Sequence, residues 1–221
     1  MAIILHIDTA VENASICLAT EEEILGFDRN DDPRGHSSWL HQAILDTCQK
    51  ARITLNDLDA VAVTIGPGSY TGLRVGLSAA KGICFSLGKP LIAINTLELI
   101  ASGVNEPTAK YICPMIDARR MEVFTALYSI KLEQVMAPGA LVLDEGSFSE
   151  RLEEGRVVFA GNGAVKFRKI ISHPNAVFTD GMPSADKMRT LAFDAFRHKK
   201  FSDVAYTEPL YVKEFYNNKQ H

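Results

Sequence analysis

The stretch that decides the fold of this chain is Gly66-Pro67-Gly68-Ser69-Tyr70-Thr71-Gly72-Leu73-Arg74-Val75-Gly76. It follows a β-rich run over residues 59–65 and opens a long helical pattern that ends near Leu87. A strand, a glycine turn and a helix N-terminus therefore meet here. Such a junction directs free backbone N–H groups and the positive end of a helix dipole to one point, so anion binding is the first function to consider.

The spacing of this stretch excludes the two best-known phosphate loops. A Walker loop reads Gly-x-x-x-x-Gly-Lys-Ser/Thr, but Thr71 stands five positions after Gly66, and Leu73 follows Gly72 where lysine is required. The dinucleotide-binding pattern fails as well, because Thr71 occupies the position of its third glycine.

Small residues continue along the same helix at spacings of three and four: Gly72, Gly76, Ala79, Ala80 and Gly82. Each glycine lowers intrinsic helicity by about 1 kcal/mol, so a close approach must compensate for this cost. Two interpretations remain open. The helix either packs tightly on its own sheet or contacts a helix of another subunit.

Composition is ordinary for a soluble globular protein: 221 residues, 47% hydrophobic and 23% charged. The net charge of -4 disfavours strong binding of nucleic acid by the chain alone. The four cysteines stand far apart within apolar patterns, which predicts reduced, buried thiols. No signal peptide and no apolar run of 18 residues is present, so we expect a cytoplasmic protein without membrane association.

Periodicity predicts three meandering strands, then a helix, and then a strand and helix pair that is repeated once. The expected ranges are 2–8, 13–19 and 22–28 for the strands, 38–52 for the helix, a short turn at 55–58, 59–65 and the helix to 87, 91–94, and a helix capped by Thr96. A smaller second unit is expected to contain strands 111–117, 122–130 and 156–160, a helix to about 171 and a helix over 184–199. The predicted subdomains are residues 1–104, joined by the tail 203–221, and residues 105–202.

This order of elements is the layout of the actin-like ATPase (ribonuclease H-like) α/β architecture, with the second of its two subdomains reduced. In that architecture the turn after the first strand carries an acidic residue and a hydroxyl near nucleotide phosphates, and here it begins with Asp8 and Thr9. The alternative is that Asp8 and Asn13 cap a hairpin. Gly161 and Gly163 are further candidate nucleotide contacts, because a glycine backbone permits close approach.

Six segments together closely resemble the bacterial TsaB (YeaZ) family: Ile4-Leu5-His6-Ile7-Asp8-Thr9-Ala10, residues 66–76 with Lys81-Gly82, Asp117-Ala118-Arg119-Arg120 before Glu122-Val123-Phe124, Gly161-Asn162-Gly163-Ala164, Pro183-Ser184-Ala185, and Glu208-Pro209-Leu210-Tyr211-Val212-Lys213. The resemblance runs almost end to end, and residues 66–74 are its specific block. Lys213 departs from the arginine expected there, and the tail beyond it is not diagnostic.

The resemblance implies a subunit of the machinery that places N6-threonylcarbamoyl on adenosine 37 of tRNAs reading codons that begin with adenine. It implies no catalysis and no cofactor of its own. The metal and ATP belong to a TsaD-type paralogue and a TsaE-type ATPase. The chain pairs with the paralogue, or with itself when alone, and tRNA is reached only through the complex. The implied partner interface is Tyr70, Thr71, Gly72, Arg74, Val75, Gly76, Ala79, Ala80 and Ile83.

The residues test this picture independently. His36 and His41 are five apart, about 140° around a helix, so a regular helix does not turn both towards one metal. Neither Gly-x-Ser-x-Gly nor His-Glu-x-x-His occurs. Two hypotheses remain: a non-catalytic partner subunit, or an independent ATP-binding or ATP-hydrolysing enzyme built on Asp8 and Thr9. On the first, Gly76→Arg or Ala80→Glu should block association and leave the fold intact.

Overall fold

The computed structural model describes residues 1–32 and 35–212. Ten strands form two mixed five-stranded sheets, and helices cover them. Lys213 and the rest of the predicted tail beyond it lie outside the described residues.

The first sheet has the order β3-β2-β1-β4-β5. Its strands are β1 (Ile4–Asp8), β2 (Ala14–Ala19), β3 (Ile24–Asn30), β4 (Ala60–Gly66) and β5 (Leu91–Asn95). The first three form an antiparallel meander, whereas β4 runs parallel to both β1 and β5. All five residues of β1 are buried because it is the central strand and both faces of the sheet are covered.

The helices within this first part of the chain are α1 (His36–Lys50), α2 (Tyr70–Leu87) and α3 (Thr96–Ser102). A short 3₁₀ helix at Leu55–Asp57 lies between α1 and β4. Helix α2 begins where the Ser69 hydroxyl accepts a hydrogen bond from the Gly72 amide and ends at the left-handed Gly88, which are ordinary start and stop signals. The predicted cap at Thr96 is wrong, because the Asn95 side chain accepts from the amides of Leu97 and Glu98 instead.

The second sheet has the order β10-β9-β6-β7-β8. Its strands are β6 (Tyr111–Asp117), β7 (Glu122–Ser129), β8 (Gln134–Val142), β9 (Val157–Ala160) and β10 (Ala176–Thr179). The helices α4 (Ser149–Glu154) and α5 (Ala164–Phe167) are short. The two sheets thus have equal numbers of strands, and the second unit is reduced in its helices.

Two parts of the second unit differ from expectation. Strands β8 and β10 and helix α4 were not predicted from the sequence, and the helix that corresponds to α5 was expected to run to about residue 171. The helix stops at Phe167 because the following amides switch to three-residue bonds, such as Lys169 N to Lys166 O at 3.3 Å. The predicted helix over 184–199 is a 3₁₀ turn, Ala185–Met188, followed by α6 (Arg189–Arg197).

The segment 185–202, assigned from sequence to the second unit, packs on the first sheet. Met188, Ala192 and Phe193 belong to the same buried cluster as Ile4 and Ile92, and Ser202 forms an isolated bridge with Leu91. Apolar side chains of α6 therefore cover one face of the first sheet while α1 and α2 cover the other. Residues 185–202 therefore pack with the first unit. The domain boundary near residue 105 stays a prediction.

Candidate functional site

A groove of about 750 Å³ runs along the outer face of α2. We call it the α2 groove. Its lining residues are Ser37 and His41 of α1, Leu55, and Tyr70, Thr71, Arg74, Val75, Ser78, Ala79, Gly82, Ile83, Ser86 and Leu87 of α2. Most of these side chains are small or apolar, so the groove offers a largely apolar surface, with Tyr70, Thr71 and Arg74 together at the end where α2 begins.

The exposed face of α2 has the spacing of a helix that packs against another helix. Thr71, Val75, Ser78, Gly82 and Phe85 follow one another at intervals of four, three, four and three, which is the repeat of a coiled-coil seam. Phe85 is 84% exposed. No atom of the described residues lies within 4 Å of a Cβ built on Gly82, so a neighbouring backbone has room to approach there.

The predicted interface residues divide between two faces of α2. Those that line the α2 groove are Tyr70, Thr71, Arg74, Val75, Ala79 and Ile83. Those that are buried beneath it are Gly72, Gly76 and Ala80. Direct contact of these three residues with a partner stays a prediction, and in the structure they face the interior of the chain. Ser78, Gly82 and Phe85 were missed, because the spacing of small residues does not by itself reveal which face is exposed.

The buried glycines serve the approach of α2 to the turn after β1. A Cβ at Gly68 would overlap the Ala10 carbonyl, one at Gly72 the Thr9 carbonyl, and one at Gly76 the Thr9 hydroxyl. The Ser69 amide also donates to the Ala10 carbonyl at 2.7 Å. Both interpretations of the small-residue helix thus find a basis in the structure, since one face packs internally and the other is open.

Asp8 is fully buried at the end of β1. Its Oδ1 accepts hydrogen bonds from the Thr64 hydroxyl at 2.8 Å and the Ala10 amide at 3.1 Å. Its Oδ2 has no hydrogen-bond partner among the described residues. Burial raises the pKa of this carboxyl to about 6, although the two hydrogen bonds act in the opposite direction.

A polar cleft of about 710 Å³ separates the two units. Glu12, Ser69, Asp117, Arg119 and Asn162 are among its lining residues. None of the four predicted nucleotide contacts is among the described residues that line this cleft. Asp8 and Thr9 are fully buried, and Gly72 and Gly76 of α2 pack against Thr9.

The two glycines of the predicted nucleotide site also pack inward. A Cβ at Gly161, where φ is +99°, would overlap the Met115 carbonyl, and one at Gly163 would lie 3.0 Å from the Ile116 carbonyl carbon. These glycines are required for the close packing of the turn on β6. They do not provide a cradle for phosphate.

Three side chains gather at the polar end of the α2 groove. The Arg74 guanidinium carbon lies 3.9 Å from the centre of the Tyr70 ring, and its Nε donates to the Tyr211 hydroxyl at 2.9 Å. The two tyrosine rings lie 5.4 Å apart. Sequence reasoning named Tyr70 and Arg74 but missed Tyr211, which lies 137 positions from Arg74.

The segment that carries Tyr211 is attached to the first unit along its length. Its Leu210 amide donates to the Ile65 carbonyl at 2.7 Å, and the Lys81 ammonium donates to the carbonyls of Ala205 and Thr207 at 3.0 Å each. These contacts fix the position of Tyr211 against α2.

The two histidines considered as metal ligands have different surroundings. His36 is buried at the start of α1 with its Nδ1 3.3 Å from the Asn30 amide nitrogen, whereas His41 is exposed in the α2 groove. Across residues 1–32 and 35–212 no group of three or more metal-binding side chains was found. Nor does any helix in this part of the chain have the length and apolar character needed to cross a membrane.

Comparison with known proteins gives three consistent results. Residues 30–207 match the family described as TsaD, tRNA N6-adenosine threonylcarbamoyltransferase. The chain is 30% identical to tRNA threonylcarbamoyladenosine biosynthesis protein TsaB of Escherichia coli K12, over 95% of this chain and 94% of that protein. The solved structure of YeaZ from Pseudomonas aeruginosa has a TM-score of 0.81 at 27% identity and covers 96% of this chain and 100% of its own.

The arrangement of two mixed sheets with covering helices is an actin-like ATPase fold. The Clostridium difficile activator of 2-hydroxyisocaproyl-CoA dehydratase has the same class of fold, with a TM-score of 0.50, 12% identity, and coverage of 90% of this chain and 97% of its own. Within this class the chain belongs to the TsaB (YeaZ) family of tRNA threonylcarbamoyladenosine biosynthesis proteins.

Proposed function

We propose that this chain is a non-catalytic subunit required for N6-threonylcarbamoylation of adenosine 37 in tRNAs that read codons beginning with A. It acts as a dimerisation platform for the metal-bearing TsaD-type transferase and the TsaE-type ATPase. Alone it forms a homodimer. It acts in the cytoplasm, where its four buried cysteines stay as free thiols.

The observation that carries this proposal is the exposed face of α2. Thr71, Ser78 and Gly82 are small enough to admit a second helix at short distance, and their spacing matches a two-helix seam. An exposed apolar surface of this kind marks an interaction site more often than a catalytic one. A TsaD-type partner has a related fold, so it brings an equivalent helix to the contact.

Charge supports the view that tRNA is bound by the assembled complex. The net charge of -4 opposes the phosphate backbone on average. Two cationic side chains at the end of α6 already have an acidic neighbour: Arg197 and Lys200 lie within 4.0 Å of Asp194 carboxylate oxygens. Partner subunits must then supply most of the attraction for tRNA.

The test is a reconstituted reaction with TsaD-type and TsaE-type proteins, ATP, threonylcarbamoyl-AMP and tRNA, with and without this chain. We expect threonylcarbamoyladenosine to form only in the complete mixture and none to form with this chain alone. Equal product without the chain would refute the platform role.

An independent ATP-dependent enzyme is the alternative function. The burial of Asp8 and Thr9 and the packing of α2 against Thr9 speak against it. Purified chain is expected to turn over ATP at background rates, and Mg-ATP is expected to leave its melting temperature unchanged. ATP turnover that disappears in Asp8→Asn would restore this alternative.

A further inference from the structure

Charge within the α2 groove indicates what kind of helix fits it. Arg74 is the only residue among those lining the groove in the described structure that always carries a charge, and none of them has a carboxylate. No salt bridge joins Arg74 to a carboxylate within residues 1–32 and 35–212. An acidic protein thus presents a groove whose fixed charge is positive.

The guanidinium of Arg74 is held in one orientation before any partner arrives. Tyr70 supports its face at 3.9 Å, and the Tyr211 hydroxyl accepts from its Nε at 2.9 Å. The planar guanidinium fork matches the two oxygens of a carboxylate, and no salt bridge to a carboxylate within the described residues occupies it. Restraint of a long side chain in its binding geometry reduces the entropy lost on association.

A second copy of this chain brings no carboxylate from the described lining of its own groove. In a symmetric dimer the same patch faces itself, so the other copy presents a second Arg74 instead. None of the described lining residues is acidic, so the result is the same for parallel and antiparallel helices.

We infer that the α2 groove selects a partner helix that carries an aspartate or glutamate opposite Arg74, and that Tyr70 and Tyr211 position Arg74 for this contact. The inference rests on the proposed platform function and names the chemistry of the partner at that same surface. It makes Arg74 a residue that distinguishes the heteromeric partner from a second copy.

The test compares two associations of the same variants. Binding to a purified TsaD-type protein is measured by calorimetry, and self-association by analytical ultracentrifugation. Arg74→Gln removes the charge, and Tyr211→Phe removes the hydroxyl that orients it. Arg168→Gln is the matched control, because Arg168 is also exposed and lies 6.0 Å from an aromatic ring, that of Phe178 on the second sheet.

We expect Arg74→Gln to weaken partner binding about tenfold, Tyr211→Phe to weaken it less, and Arg168→Gln to have no effect. Self-association should be unchanged or stronger in Arg74→Gln. Raising salt from about 50 mM to about 500 mM should weaken the wild-type complex more than the Arg74→Gln complex. Circular dichroism and melting temperature establish that each variant is folded.

Three outcomes would overturn the inference, and they differ in what they leave standing. Wild-type binding with an unchanged Arg74→Gln affinity would remove the carboxylate contact but keep the platform function. Equal weakening of both associations would mean that Arg74 serves any occupant, including a second copy. No binding of the wild-type chain to the TsaD-type protein would overturn the platform function and this inference together.

Discussion

The backbone carbonyl of Thr9 occupies the space into which a Cβ at Gly72 would project. The turn after β1 and the first turn of α2 thus touch through main-chain atoms, with Asp8 buried behind them. The same contact that joins the strand to the helix packs α2 against Thr9, one of the two β1-turn residues predicted to contact a nucleotide.

The first prediction compares two glycines of α2. Gly72→Ala should lower the free energy of unfolding by about 1–3 kcal/mol, because the Thr9 carbonyl is backbone and cannot rotate away. Gly82→Ala is the control in the same helix, since its Cβ meets nothing within 4 Å. It should raise stability by up to about 1 kcal/mol through helix propensity. Urea unfolding measures both, and equal effects would refute the close approach.

The sequence predicted the order of elements in the first unit well because its signals are local. Gly66 to Gly76 marks a strand-to-helix junction, and the alternation before it marks the strands. In the second unit β8 was missed, because Pro138 and Gly139 interrupt it and edge strands tolerate such residues. The four residues of β10 give too short a pattern to recognise.

The site was predicted less well than the fold because its geometry depends on distant contacts. Spacing showed that α2 is rich in small residues, but only the sheet beneath determines that Gly76 faces Thr9 and Gly82 faces outward. Tyr211 reaches Arg74 through the return of the chain across β4. No local pattern in the sequence encodes that return.

The second prediction concerns the open face of α2. The double variant Ser78→Gln and Gly82→Gln adds neutral bulk where a partner helix must approach, and both positions are exposed. We expect a loss of at least about tenfold in affinity for a TsaD-type protein, with a melting temperature that is not lowered. Calorimetry and thermal unfolding measure the two effects.

Thr190→Gln is the control for this double variant, since Thr190 is exposed on α6. Gly76→Arg and Ala80→Glu, suggested by the sequence, do not test the interface, because both positions are buried and the variants should fail to fold. Wild-type affinity of the double variant would place the interface elsewhere.

The third prediction follows from opposed pKa shifts on β1. Burial lowers the pKa of His6 to about 4 and raises that of Asp8 to about 6. As pH falls from about 6.5 to 4, His6 takes up a proton in the unfolded chain before it does so in the native state, which lowers the free energy of unfolding. Between about pH 6 and 4, Asp8 takes up a proton in the native state before it does so in the unfolded chain, which raises the free energy of unfolding. The two effects partly cancel in the wild-type protein.

Asp8→Asn removes the carboxyl group whose protonation adds stability as the pH falls. Its free energy of unfolding should therefore fall more steeply than that of wild type between pH 6.5 and 4, by up to about 1.4 kcal/mol per pH unit. Urea unfolding at a series of pH values measures the slope. Glu150→Gln, at an exposed position of α4, should leave it unchanged. If the free energy of unfolding depends on pH with the same slope in Asp8→Asn and wild type, the raised pKa of Asp8 is contradicted.

The fourth prediction concerns Lys166, which ties α5 to the turn between β6 and β7. Its ammonium donates to the Asp117 carboxylate at 2.8 Å, the Arg120 carbonyl at 2.8 Å and the Glu122 carbonyl at 2.6 Å. Its side chain is only 14% exposed. Lys166→Met keeps the apolar stem but removes three charge-assisted hydrogen bonds and leaves the Arg120 carbonyl without the ammonium, which should cost about 2–3 kcal/mol. Urea unfolding measures the loss.

The exposed Lys169, three positions further on, provides the matched substitution, and Lys169→Met should change stability by less than about 0.5 kcal/mol. The turn held by Lys166 includes Arg119 and Arg120, both at positive φ. Without the ammonium this backbone should relax, so amide hydrogen exchange over residues 117–122 should accelerate in Lys166→Met. Unchanged exchange there would mean that the sheet alone maintains the turn and that Lys166 contributes only charge.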